Sequence, residues 1–382
     1  MNCNKAFIFF CLTAAISSCS HSPSASDKKR RSPLSEISYA ERFTLEKKDG
    51  ISILTIIDPW QGAVNVNQVY YLVKRGETIP QGYDTSRVIR TPVSRIIAMS
   101  TTYLSMISAL GETDKVTGIS GADLLYDEKL RKAVNAGKIE DVGYNENLNG
   151  ELIVKLDPDL VMVYGIGGES SGYTGKLKEL GIKVMFNADY LENDPLGKAE
   201  WIKVFGALFL KEKEANELFS SIVDEYNSIK KFISEKTSAR PSVLLGLPWK
   251  DTWYVSPGNS FISRLISDAG GNYIWKETTA EASMPYGLES VWRKAMNADY
   301  WLNISNVQEP GEILTIDNRL GEIPAFKKGN LYNNNNRVAD NGGNDYWESG
   351  SVNPQIILKD VASILHPEIF PDYICYYYRK IR

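Results

Sequence analysis

Short apolar runs alternate with helical periodicity through most of the chain. The predicted strands of this pattern lie at 95–99, 160–164, 182–186, 242–246 and 300–304. Nearly continuous apolar strands separated by helices are typical of a parallel sheet that is covered on both faces. Because the alternation occurs once in each half, we predict an α/β protein with two Rossmann-like lobes.

A long stretch of helical periodicity separates the two halves. Residues 201–237 contain no proline and a single glycine, Gly206, and their apolar residues recur at spacings of three and four. Unbroken, this helix would extend on the order of 50 Å, at about 1.5 Å per residue. We predict a single long helix that joins an N-terminal lobe, 41–200, to a C-terminal lobe, 238–382, with a bend near Lys211 as the alternative. A ligand cleft is expected between the lobes.

The first forty residues have the pattern of an export signal followed by a tether. Lys5 precedes an apolar run that is too short to span a bilayer, and small residues lead into Cys19. We predict a lipoprotein signal peptide at 1–19, lipidation of Cys19 and a flexible tether at 20–40. A plain secretory signal is the alternative. Extra strands should open the N-terminal lobe, where Asp49-Gly50 is a hairpin signal.

Composition argues against several classes of function. The chain has 382 residues, of which 43% are hydrophobic and 24% charged, and its net charge of −4 shows no basic excess for binding nucleic acid. With two histidines and no nucleophile elbow or zinc signature, no catalytic residue, metal ligand or resident cofactor is expected. The glycine-rich segment 165–172 departs from the dinucleotide fingerprint because its final position is Ser170.

Aromatic residues near strand ends are the candidate ligand contacts. The aromatic candidates are Tyr144 and Tyr164 in the first half and Trp249, Trp253 and Tyr286 in the second. Gly165 is a further candidate, because a backbone without a side chain lets a large flat ligand approach closely. Ligands of open α/β sheets lie at the carboxyl ends of strands, and aromatic rings suit a large flat ligand. Packing at a lobe edge is the alternative for each residue. The aromatic-rich segment 343–347 is also expected to reach the rim of the cleft.

Three segments resemble a known family. Residues 151–161, ELIVKLDPDLV, are similar to its run of a Glu, an apolar turn and Leu-x-Pro-Asp-Leu-Val, while 257–272 and 288–291 look like its second-lobe signatures. The family is that of the cobalamin- and ferric-siderophore-binding proteins of ABC importers, and the resemblance begins near Pro92. It implies two lobes joined by a long helix, with an ABC permease and its ATPase as partners. We expect a monomer that the lipid on Cys19 anchors in the cell envelope.

The resemblance also implies roles for particular residues. Glu151 and Glu289 each open a short helix, where a carboxylate complements the helix dipole, and they match the two glutamates that dock onto permease arginines in the family. Tyr164 falls where cobalamin binders have a cleft tryptophan. The expected ligand is a corrinoid or a ferric siderophore, with haem as an alternative that Tyr144 or Tyr164 would ligate. An exported enzyme and a surface interaction module are the alternatives from other classes.

Overall fold

A four-stranded sheet opens the part of the chain that the structure describes. The computed structural model describes residues 37–144, 147–165 and 169–382, and only the backbone of 169–173. The strands of the opening sheet are β1 (Phe43–Lys48), β2 (Ile51–Ile57), β3 (Asn67–Lys74) and β4 (Val88–Thr91), in that order. Asp49 and Gly50 join β1 to β2 with φ of 52° and 82°, as a two-residue hairpin turn requires. One face of this added sheet, including Phe43 and Leu54, packs into the main core.

The N-terminal lobe is a five-stranded parallel sheet. Its elements are β5 (Ile96–Ala98), α1 (Thr101–Ala109), β6 (Val116–Ile119), α2 (Glu128–Asn135), β7 (Glu140–Asp141), α3 (Gly150–Leu156), β8 (Leu160–Val163), α4 (Glu169–Glu179) and β9 (Val184–Phe186). The strand order is β7-β6-β5-β8-β9. In β8, Leu160 and Met162 face one hydrophobic cluster while Val161 and Val163 face another. Burial on both faces explains why β5, β8 and β9 have no polar positions, whereas the edge strand β7 is exposed and acidic.

The predicted connecting helix, 201–237, is interrupted in the structure. After α5 (Pro195–Glu200), α6 (Ile202–Phe209) ends at Leu210, which has a left-handed φ of 58°, and α7 (Glu212–Lys236) then begins. A Cβ on Gly206 would lie 2.6 Å from the Cβ of Ala215, so this glycine allows α6 and α7 to pack closely. The long helix is therefore α7 alone, about 37 Å at 1.5 Å per residue.

The C-terminal lobe repeats the alternation around a second sheet. Its elements are β10 (Ser242–Leu245), β11 (Thr252–Val255), α8 (Phe261–Asp268), β12 (Asn272–Tyr273), β13 (Met284–Gly287), α9 (Leu288–Ala295), β14 (Tyr300–Leu302), α10 (Pro310–Ile316), α11 (Pro324–Lys327), β15 (Leu331–Asn333), α12 (Pro354–Leu365) and β16 (Arg379–Lys380). The order is β12-β10-β14-β15-β16, with only β16 antiparallel, while β11 and β13 form a separate antiparallel pair. The prediction of an α/β fold with two lobes is confirmed.

Two buried carboxylates hold the segment that leads into β1. Glu200 is fully buried and accepts hydrogen bonds from the backbone N–H groups of 38–40 at 2.8–3.1 Å. Lys203 lies 2.7 Å from the same carboxylate and balances its charge. Glu192 accepts from the N–H groups of 41–42 at 2.9–3.2 Å. These bonds fix the added sheet to the helices that follow β9.

Candidate ligand-binding cleft

A cleft of about 1010 Å³ opens at the carboxyl ends of the C-terminal strands. Gly246 follows β10, Asn303 follows β14 and Asn334 follows β15, and all three line the cleft. The strand order of this sheet reverses between β10 and β14. Such a reversal leaves a crevice in which α/β proteins bind ligands, so the cleft lies where the topology predicts a site.

The polar lining of the cleft is rich in neutral hydrogen-bonding groups. The described lining includes Asn193, Asn259, Asn303, Asn306, Asn334, Asn344, Ser256, Ser260, Ser283, Ser305 and Ser351. Its charged members are Arg42, Lys198, Asp58, Glu192 and Glu281. Arg42 is already paired with Asp58 at 3.7 Å, and burial raises the pKa of Glu192. This lining suits a ligand with many neutral polar groups better than a multiply charged anion.

Aromatic side chains provide the apolar part of the lining. Tyr254 is 52% exposed, Trp347 is 58% exposed, and both line the cleft together with Phe261. Trp347 belongs to the segment 343–347, and Asn344 lines the cleft as well. Exposed aromatic rings beside amide groups form a surface on which a large ring system can pack.

On the N-terminal side, the added sheet and the segment that follows β9, residues 190–193, form the wall together. The β2–β3 loop, residues 58–66, contributes Trp60, Gln61 and Val64 to the lining. A Cβ on Gly165 would lie closer to the Cβ of Trp60 than van der Waals contact allows. The carbonyl of Gly165 accepts hydrogen bonds from the N–H of Gln61 at 3.2 Å and from the hydroxyl of Tyr190. The close approach that was predicted for a ligand at Gly165 is therefore made by Trp60.

Trp253 was predicted as a ligand contact, and the structure corrects this. The side chain is fully buried, its indole N–H donates to the carbonyl of Leu245 at 3.0 Å, and its ring stacks on Trp301 with centroids 5.8 Å apart. Because side chains alternate along a strand, Tyr254 in β11 faces the cleft instead. The predicted strand was correct, and the face was wrong by one residue.

The other predicted aromatic contacts lie outside the described lining. Tyr144 and Tyr164 stack on each other with centroids 6.3 Å apart. Trp249 is exposed beneath Lys250, and Tyr286 in β13 packs toward Trp275. Residues 145–146 and 166–168, beside Tyr144 and Gly165, lie outside the described residues. Contact between Tyr144 or Tyr164 and a ligand therefore stays a prediction.

The loop after β15 also ties the two lobes together. Glu348 is buried and accepts hydrogen bonds from the N–H groups of Tyr126 at 2.8 Å and Asp127 at 3.1 Å. The Ser351 hydroxyl lies 2.7 Å from that of Ser105 in α1. Burial raises the pKa of Glu348 to about 7, against the effect of its two hydrogen bonds. The Asn344–Trp347 wall is thus held from the N-terminal lobe.

The two predicted docking glutamates are exposed in the first turns of equivalent short helices. Glu151 lies in α3, whose first turn is capped by the Asn149 side chain at 3.0 Å from the N–H of Leu152. Glu289 lies in α9 and forms an ion pair with Arg319. The two carboxylates therefore differ in their surroundings although their positions correspond.

The predicted lipidation site, Cys19, lies outside the described residues. Within 37–382, excluding the undescribed residues, no group of three or more His, Cys, Asp or Glu side chains is arranged to hold a metal ion. None of the helices described there combines the length and the apolar character needed to cross a bilayer.

Comparison with known proteins identifies the family. The profile described as "Periplasmic binding protein" matches residues 96–337. An uncharacterized lipoprotein of Methanocaldococcus jannaschii is 29% identical over 335 residues, covering 82% of this chain and 77% of its own. A vitamin B12-binding protein of Salmonella typhimurium is 26% identical over 188 residues, covering 49% and 66%.

Solved structures share the fold. A periplasmic heme binding protein from Pseudomonas aeruginosa superposes with a TM-score of 0.55 at 16% identity, covering 72% of this chain and 93% of its own. An ABC transporter substrate-binding protein from Listeria monocytogenes superposes with a TM-score of 0.53 at 17% identity, covering 72% of this chain and 99% of its own. Because the family profile covers more than half of the residues, this chain belongs to the periplasmic binding protein family.

Proposed function

We propose that this protein is the solute-binding component of an ABC importer and that it carries a metal chelate to the permease. The observation that carries the proposal is the cleft of about 1010 Å³ between two lobes, walled by aromatic rings and neutral amides. Its size corresponds to the upper end of ordinary ligand pockets, roughly 300–1000 Å³. The metal arrives already chelated, because the described residues offer no bare-ion site.

A corrinoid is the preferred ligand. Corrinoids carry neutral amide side chains around a large ring, and such groups match the Asn and Ser lining. A strongly anionic ferric siderophore would require several unpaired cations, whereas the described lining holds two, Arg42 and Lys198, and Arg42 is engaged with Asp58. The similarity to a vitamin B12-binding protein points to the same class of ligand.

Titration of the full-length protein in detergent with cyanocobalamin, a ferric trihydroxamate and haemin tests the ligand. We expect one cyanocobalamin per chain, bound more tightly than the other two. Asn306→Leu, at an exposed lining position, should weaken that binding, whereas Asn318→Leu, exposed but outside the lining, should leave it unchanged. Absence of binding by all three compounds would refute the assignment to metal chelates.

Haem is the second candidate because one observation favours it. Tyr254 presents an exposed phenol inside the cleft, and a tyrosinate can serve as the axial ligand of haem iron. If haemin binds most tightly, its visible spectrum should change in Tyr254→Phe and remain unaltered in Tyr144→Phe. The reverse result would return the axial role to Tyr144.

Glu151 and Glu289 are proposed to dock the two lobes onto permease arginines. Both are exposed near helix N-termini, and each carboxylate can accept a bidentate bond from an arginine. Reversal of both charges to lysine should weaken binding to the reconstituted permease–ATPase complex and leave ligand affinity unchanged. The control carries Glu217→Lys and Glu235→Lys, two exposed sites on α7. Equal permease binding by both double variants would exclude these docking roles.

The protein is proposed to be anchored in the cell envelope through a lipid on Cys19. The motif at 16–19 and the lipoprotein named among the relatives support this anchor. Cys19→Ala should move the protein from the membrane fraction to the soluble fraction without altering its ligand affinity. Retention of the variant in the membrane fraction would exclude a lipid anchor at this residue.

A further inference from the structure

The added sheet places a loop in the cleft. Residues 58–66 connect β2 to β3, and five consecutive residues, 60–64, line the cleft. The added sheet packs on the main core through β1 and β2. Phe43 lies edge-to-face on Trp201, with the ring centroids 4.9 Å apart. The loop is therefore carried by a rigid element and has a fixed position relative to the cleft.

The loop is also closed upon itself. Two hydrogen bonds join its first and last residues, Asp58 and Val66. The N–H of Asp58 donates to the carbonyl of Val66 at 2.8 Å, and the N–H of Val66 donates to the Asp58 carboxylate at 2.9 Å. The N–H of Ala63 donates to the carbonyl of Trp60 at 3.0 Å. A loop that is ordered before binding loses little conformational entropy when a ligand packs on it.

The tip of the loop presents apolar surface to the cleft. Val64 is 65% exposed, and Trp60 is half-buried against Phe186, with ring centroids 5.4 Å apart. A fixed loop that exposes a valine beside a partly exposed indole is an apolar surface that a ligand would cover. Packing against Gly165 explains why the loop contains Trp60. It does not explain why Val64 is exposed to the cleft.

We propose that the β2–β3 loop is the specificity-determining wall of the cleft, with Trp60 and Val64 contacting an apolar edge or ring of the chelate. This inference rests on the proposed function, because it assumes that a chelate occupies the cleft. It deepens that function by assigning discrimination among chelates to a sheet that precedes the residues matched by the family profile. Loops on a rigid scaffold are the usual place for such discrimination.

Three variants test the proposal against the same probes: cyanocobalamin, a ferric trihydroxamate and haemin. Val64→Ser and Trp60→Leu should weaken the preferred probe by roughly tenfold and change the ranking of the three, since loss of an apolar contact of this size is worth about 1.4 kcal/mol. Leu124→Ser is the matched control, because Leu124 is 62% exposed and lies outside the cleft lining. It should change neither affinity nor ranking.

The outcomes separate this inference from the proposed function. If the unmodified protein binds none of the probes, the assignment to metal chelates fails and the inference fails with it. If it binds at least one probe and Val64→Ser keeps every affinity, the loop inference alone is wrong. Val64→Ser decides even if Trp60→Leu fails to fold, because Val64 is exposed and its replacement leaves the core intact.

Discussion

The carboxyl edges of the two lobes follow related plans and are used differently. In the C-terminal lobe the strand order reverses between β10 and β14, and Gly246 and Asn303, which follow those strands, line the cleft directly. In the N-terminal lobe the reversal lies between β5 and β8, but Gly165 after β8 is covered by Trp60. In the C-terminal lobe the strand ends form the wall, whereas on the N-terminal side an added sheet covers the end of β8 and shares the wall with residues 190–193.

On the N-terminal side, the buried parallel strands that support the fold are therefore distinct from the loop that lines the cleft. The parallel strands are buried on both faces and tolerate little change, whereas a surface loop on a separate sheet can vary without disturbing them. Buried carboxylates fix both walls, Glu200 on the side of the added sheet and Glu348 in the loop after β15. Removing one of these carboxyl groups at a time should therefore show how much each contributes to holding its wall.

The largest effect is expected from Glu200→Ala. The change removes the acceptor of the N–H groups of 38–40 and a carboxylate that lies 2.7 Å from the Lys203 ammonium in a buried place. Removing one partner of a buried pair costs about 3–5 kcal/mol, which guanidinium unfolding would detect. Glu217→Ala, an exposed site on α7, is the control and should leave stability unchanged. Equal stability of the two variants would mean that the added sheet is held by other contacts.

The second largest effect is expected on the pH dependence of stability, because Glu348 joins the two lobes and has a raised pKa. The carboxyl stays protonated up to about pH 7 in the folded protein, whereas a free Glu ionises near 4.5. Between these values unfolding releases a proton, so the free energy of unfolding should fall as pH rises from 5 to 8. At about 1.4 kcal/mol per unit of pKa the loss is on the order of 3 kcal/mol.

The control for this pH dependence is Glu348→Gln. The variant lacks the titrating group, so its unfolding free energy should vary less with pH, although it also loses one acceptor for Tyr126 or Asp127. Asp345, which raises the Glu348 pKa, is itself paired with Arg337 at 2.6 Å and is unchanged in both proteins. Parallel pH profiles for the two proteins would show that Glu348 does not titrate in this range.

Much of the frame was predictable because burial on both sides leaves a clear trace in the sequence. The apolar runs at 160–164 and 242–246 are strands, and Asp49-Gly50 forms the turn it predicts. The break between α6 and α7 was expected only as the alternative, a bend near Lys211, and the structure places it at Leu210. The helical pattern favoured a continuous helix because leucine seldom adopts the left-handed conformation that ends α6.

The site was less predictable because its residues come from distant segments. Locating Tyr254 in place of Trp253 required the orientation of β11, which depends on its pairing with β13. The contact between Trp60 and Gly165 joins residues more than a hundred positions apart, and no local periodicity reports it. The segment 343–347 was expected at the rim, and Asn344 and Trp347 do line the cleft.

A third effect is expected from Gly165→Ala, where the added sheet packs on the N-terminal lobe. The new methyl must displace Trp60, and overpacking of this kind typically costs about 1–3 kcal/mol, measurable as a lower Tm. Gly175→Ala in α4 is the control, because no described atom apart from the backbone of its own helix and its chain neighbours lies within 4 Å of its added Cβ. The loss should be relieved in a Trp60→Gly background and not in Trp60→Ala, which keeps the clashing Cβ. Equal losses in both backgrounds would place the strain elsewhere.

The smallest effect is expected at the two glutamates that are proposed to dock onto the permease, because their surroundings differ between the lobes. Glu289 in the C-terminal lobe is paired with Arg319, which also bonds Asp317 at 2.7 Å, whereas no ion pair is seen for Glu151 among the described residues. Under the proposed docking, a permease arginine would displace Arg319 on one lobe only. Arg319→Gln should strengthen permease binding by roughly twofold to fivefold, the range expected for an exposed pair, and should leave ligand affinity unchanged. Weaker binding of this variant would instead mean that Arg319 holds Glu289 in the orientation that docking requires.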